Sequence, residues 1–146
     1  VSGAGDRFTL AGELAARVAE GPDRACISFD DHVVTFSHLE ERVTSAANQL
    51  LALGVQPGET VALFMGNCAE WVDVWLAAAR VGALSVPVNA AFRGDFLAHQ
   101  LRDCRAVLVV VDQPLAPRLF EVAGALADLR TVVVRDPARA GIDAPE

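Results

Sequence analysis

Lysine is absent: all twelve basic residues of this 146-residue chain are arginine. A Walker phosphate loop needs a lysine amine to reach the terminal phosphates, so that type of nucleotide site is excluded. A lysine-dependent response-regulator receiver is disfavoured on the same ground. Cysteine is scarce as well. Cys26, Cys68 and Cys104 are odd in number and widely spaced, which argues against a disulfide framework and against a C-x-x-C zinc or redox site; they read as reduced, mostly buried thiols. The three histidines, His32, His38 and His99, show no H-x-x-x-H pairing, so no metal site is expected. Long apolar runs are missing too. The longest uncharged stretch, Val43 to Gly58, is broken by Asn48, Gln49, Gly54 and Pro57, whereas a membrane span needs roughly 20 mostly apolar residues. The opening VSGAGDRFTL lacks the basic start and apolar middle of a secretory signal, which makes the cytoplasm the expected compartment. With a net charge of −7 and scattered arginines, the chain has no basic stripe for nucleic acid and no polybasic membrane patch.

What is present describes a soluble globular chain of about one domain: 53% of residues are apolar and 21% charged. Leu10, Leu14 and Val18 recur at helical spacing after Thr9, a candidate N-cap, and Gly21-Pro22 stops them. Ala25 to Phe29 and Val33 to Thr35 flank Asp30-Asp31 and predict a small hairpin. Ser37-x-x-Glu40 has the form of a capping box opening a helix lined by Leu39, Val43, Ala46, Leu50 and Leu53, with Gly54 at its left-handed C-terminal cap. From Thr60 onward, apolar runs (Val61 to Met65, Leu84 to Val88, Val107 to Val111, Thr131 to Val134) alternate with helix-length segments. That is the signature of parallel strands covered on both faces. The expected fold is α/β: a doubly wound, three-layer αβα domain with a mainly parallel sheet, preceded by the hairpin, with ligands outside the carboxyl ends of the strands. Pro87 lacks an amide donor, so its strand is expected at an edge. Residues 1–135 form the domain in this reading, and 136–146, with Pro137 and Pro145, read as a linker or tail.

Candidate chemistry is sparse. The first strand-to-helix turn, Met65-Gly66-Asn67-Cys68, has one glycine rather than a G-x-G-x-x-G fingerprint. Asn67 reads as the N-cap of the next helix, and Glu70 three residues on would complete a second capping box, leaving little call for a catalytic carboxylate. Cys68 stands near a helix N-terminus with no histidine beside it in sequence, so it reads as packing rather than a nucleophile. Trp71 and Trp75, one turn apart, read as core or interface packing before they read as a stacking platform. Arg93, beyond a strand end, is either a solvated charge at a helix start or a guanidinium placed to hold a phosphate.

Taken together, several segments resemble the amino-terminal part of the AMP-forming acyl-CoA synthetases, the acyl and aryl adenylating ligases. The carriers are the opening FTLAGELAARVAEGPDRACISF, then LGVQPGETVAL, Asn67 with Glu70, RVGALSVPVN and the final TVVVRD, in that order and at those intervals. PVNAAFRGDFLAHQL is most similar to the branch that activates fatty or carnitine-related acids. The resemblance implies a family that couples a carboxylate to ATP with magnesium, forms an acyl-adenylate and pyrophosphate, and passes the acyl group to coenzyme A. It also implies that the residues gripping the triphosphate are not here: the family's Ser/Thr/Gly-rich loop ends in lysine, and its mobile carboxy-terminal domain carries another. No catalytic residue is therefore carried over. One contact remains, Arg93 toward a coenzyme A phosphate, displaced from the family position by Ala90 and Ala91.

Three functions compete on this reading. The first is an amino-terminal fragment of a fatty-acid-CoA ligase, inactive alone. The second is one chain of a split ligase, partnered by the missing carboxy-terminal part or self-associating through exposed apolar surface. The third is a free-standing doubly wound binding or regulatory module.

Overall fold

The computed structural model describes residues 9–29, 32–136 and 138. Helix α1 (Leu10–Glu20) opens with Thr9, whose hydroxyl accepts the Gly12 amide at 3.0 Å. Strands β1 (Ala25–Phe29) and β2 (His32–Thr35) pair antiparallel as the expected hairpin. Its turn, Asp30-Asp31, lies outside the described residues. Helix α2 (Phe36–Ala52) follows directly. Its cap is Thr35, whose side chain accepts the His38 amide, and not Ser37, which sits one residue inside the helix. The capping box is thus corrected: the extended backbone of β2 runs into the helix at Thr35, and Glu40 turns instead to Arg80 at 2.7 Å. Gly54, just past the cap, takes the left-handed φ of +82° that a side chain would resist.

The main sheet contains β3 (Thr60–Phe64), β4 (Leu84–Pro87), β5 (Ala106–Asp112) and β6 (Thr131–Arg135), in the spatial order β4-β3-β5-β6 and parallel throughout. The strand carrying Pro87 is at an edge, where its missing N–H costs nothing. Helices α3 (Ala69–Arg80), α4 (Gly94–Asp103) and α5 (Ala116–Ala123) connect successive strands, α5 being preceded by a short 3-10 turn, Gln113–Leu115.

Alternation along each strand divides the core in two. Val61, Leu63, Met65, Leu108 and Val110 pack with α1, α2, α3 and the hairpin; Ala62, Phe64, Val109 and Val111 pack with α4 and α5. This is the three-layer arrangement, built because both faces of β3 and β5 are apolar and need covering. No residue of α3 is exposed, since α2 lies over its outer side, and the buried Asp73 of α3 (7% exposed) is met there by Arg42 of α2. Among the described residues no helix is long and apolar enough to cross a membrane.

Candidate functional site

The carboxyl ends of β3 and β5 diverge to helices on opposite faces, so the crevice expected to take a ligand opens between the turn Met65-Gly66-Asn67 and Asp112. That crevice is filled from within. The Asp112 carboxylate, 8% exposed, accepts the Gly66 amide through Oδ2 at 2.8 Å and the Arg135 guanidinium (Nη1) through Oδ1 at 2.8 Å. Nη2 of Arg135 reaches Glu70 Oε2 at 3.1 Å. Burial alone pulls the Arg135 pKa down, but the hydrogen bond to Asp112 and the surrounding negative charge overcome it, and the net shift is upward.

Glu70 is therefore part of an ion-pair clasp and not of a capping box. Asn67 is corrected with it: the N-cap of α3 is Cys68, which makes no side-chain cap hydrogen bond, and Asn67 is exposed. The chain stays extended one residue longer than the spacing predicts, with Cys68 at φ −157° and ψ 165°. Gly66 has no special demand on its backbone; an added Cβ would lie 3.6 Å from Asp112 Oδ2, an ordinary contact. A phosphate-cradling glycine is chosen for close approach to a ligand, and here the close neighbour is the chain's own carboxylate.

Beside this clasp runs an open groove of about 630 Å³, lined by the turn Met65 to Asn67, by Trp71, and by Pro87 to Ala90. It brings together Asn67 and Trp71 with the loop after β4. Trp71 and Trp75 pack against the core at a centroid distance of 5.9 Å, so both are packing residues, and Trp71 also faces the groove. The loop beyond is held in shape: Asn89 Oδ1 accepts the Ala91 amide at 2.9 Å, and Arg118 donates to the Ala90 carbonyl at 2.8 Å. Arg93 ends this loop at the N-cap position of α4, exposed and outside the groove lining.

The cysteines are free and half-buried. Burial pushes the Cys68 thiol up, with Arg135 and a backbone hydrogen bond only partly opposing it. Its helix-terminal position therefore does not make it a thiolate nucleophile. Among the described residues no group of three or more His, Cys, Asp or Glu is placed to hold a metal ion.

A family model described as AMP-binding enzyme matches residues 14–145. This chain belongs to the AMP-binding enzyme family. It is 35% identical over 105 residues to the 2-succinylbenzoate–CoA ligase of Bacillus cereus, a match covering 72% of this chain and 22% of that protein. It is 36% identical over 88 residues to the crotonobetaine/carnitine–CoA ligase of Citrobacter koseri, covering 60% and 17%. Among solved structures, the anthranilate CoA ligase AuaEII in complex with anthranoyl-AMP superposes with a TM-score of 0.82 at 27% identity, over 88% of this chain and 25% of that one. This AMP-binding family chain thus spans about a fifth of the curated relatives it matches and corresponds to the amino-terminal part of adenylate-forming ligases.

Sequence reasoning singled out Glu70 but missed Asp112 and Arg135, the centre of the clasp. The signal was available: the runs Val107 to Val111 and Thr131 to Val134 are each followed by one charged residue, and the two are register partners on neighbouring parallel strands.

Proposed function

We propose that this chain is the amino-terminal scaffold of an AMP-forming acyl-CoA ligase, acting on a fatty or carnitine-related carboxylic acid, and that it does not adenylate by itself. The observation that carries the reading is the family match over residues 14–145 in a chain with no lysine. The amide at the first strand-to-helix turn is already occupied by Asp112, and the Asp112 and Glu70 carboxylates are both paired with Arg135, so ATP phosphates and magnesium find no fit in the crevice. What the chain's own residues supply is the rigid sheet, the groove beside Trp71 and the loop that presents Arg93. In this reading Arg93 contacts a coenzyme A phosphate.

The partner is the remainder of the ligase. Leu84 on the β4 edge and Phe96 and Phe120 on the α4/α5 layer are exposed, Phe96 by 75%, and apolar surface of that kind calls for a cover. The cytoplasm is the compartment proposed, where unpaired thiols such as Cys26, Cys68 and Cys104 persist.

Mixing with a polypeptide that carries the remaining ligase residues tests the reading. The expected result is micromolar association, loss of dye binding to the apolar surface and acid-dependent adenylation. No association, or self-association with no gain of activity, contradicts it. Arg93 is tested separately. Coenzyme A should bind wild type about fivefold more tightly than Arg93→Ala, the scale of an exposed charge contact worth up to about 1 kcal/mol. Dephospho-coenzyme A should not distinguish the two, and equal affinities for coenzyme A remove Arg93 from the site.

A further inference from the structure

We propose that Asp112, with Arg135 behind it, is a positioning device: an internal anion that stands where a doubly wound sheet takes ligand phosphate, fixes the β3–α3 turn and turns ligand binding outward to the groove beside Trp71. In folds of this kind the backbone amides of the first strand-to-helix turn and the start of the following helix meet an external phosphate. Here the Gly66 amide donates to Asp112 Oδ2 at 2.8 Å. The countercharge comes from the neighbouring strand through Arg135 Nη1, also at 2.8 Å.

Four separate segments converge on this point: the turn after β3, the first turn of α3 through Glu70, the end of β5 and the end of β6. Asp112 and Arg135 are register partners at the last step of the β5–β6 ladder, so backbone pairing sets their approach. The guanidinium is not saturated, since its buried Nε has no partner. Its Nε–H is thus a buried donor that neither Asp112 nor Glu70 occupies. Because Gly66 and Trp71 line the groove and Glu70 sits one residue before Trp71, loosening the clasp moves that wall.

The test is residue-resolved amide exchange and indole NMR on the 146-residue chain, comparing wild type with Asp112→Ala. The alanine variant leaves an anion-sized hole between an amide and a guanidinium. Gly66 exchange should accelerate about tenfold, the scale of one lost charge-assisted hydrogen bond, while the Val109 amide in the core stays protected. The Trp71 indole resonance should move. Formate, against chloride at equal ionic strength, should enter the hole and restore both signals, and inorganic phosphate should shift Gly66 in the variant and not in wild type.

Arg135→Gln covers the case in which Asp112→Ala does not fold. It should also speed Gly66 exchange, but formate should give no rescue because Asp112 still fills the crevice. Unchanged Gly66 protection in a folded variant overturns the proposal, as does a wild-type Gly66 resonance that shifts with phosphate. The ligand-facing role of the groove rests on the ligase reading, whereas the Gly66 readout does not, so the two fail separately.

Discussion

Two left-handed positions show how backbone conformation selects a side chain or tolerates one. Gly82, at φ +76°, would place a Cβ 3.2 Å from that of Pro57, so Gly82→Ala meets both backbone strain and a crowded neighbour. A loss of about 1–2 kcal/mol is expected in chemical denaturation. Arg105, at φ +50°, is the positive-φ residue other than glycine among those described. Relief of its strain outweighs the entropy that glycine costs, so Arg105→Gly should gain about 0.5 kcal/mol. Asp73 gives a pH dependence. Burial raises its pKa, and the hydrogen bond from Arg42 Nε at 2.9 Å only partly offsets that. The folded chain therefore holds the proton more tightly than the unfolded chain. The Asp73 contribution is full below the unfolded value of about 3.9 and is lost as pH rises through the folded value. Asp73→Asn should flatten that part of the stability–pH curve, and an unaltered slope would refute the assignment. Arg42→Met strands the buried carboxylate and should cost about 3 kcal/mol. Asp73 has no charged partner close by in sequence; Arg42, thirty-one residues earlier, is brought to it only through the packing of α2 on α3.

Helix starts were the least legible elements, and for one reason. Ser37 and Asn67 have the right side chains to cap, yet capping depends on where the extended backbone ends, and a neighbouring strand or turn decides that. In α2 the strand hands over at Thr35; in α3 the turn extends through Cys68. Thr35→Ala should therefore cost about 1 kcal/mol in thermal or chemical unfolding and Ser37→Ala less than about 0.5. The reverse order would restore Ser37 as the cap. Strands were read more easily, because a run such as Val107 to Val111 with both faces apolar has few other homes. Their ends were cut short, though: Asp112 and Arg135 extend β5 and β6, and it is the ends that carry the clasp. Glu70 was visible, but its partner sits on a strand sixty-five residues away, beyond any local spacing rule.

Across the whole chain, the layered architecture and the family were legible because both follow from patterns spread over many residues. The groove was not, since its walls come from the turn after β3 and the loop after β4, which only the strand order β4-β3 brings together. The proposed function implies a division of labour, in which this chain supplies the sheet, the clasp and the groove and the remainder of the ligase supplies the residues that grip a triphosphate. ATP–pyrophosphate exchange by the purified 146-residue chain, assayed with magnesium across aryl, short-chain, long-chain and carnitine-related acids, tests that division most directly. The predicted result is no acid-dependent exchange above the protein-free blank, and robust exchange by this polypeptide alone would contradict it.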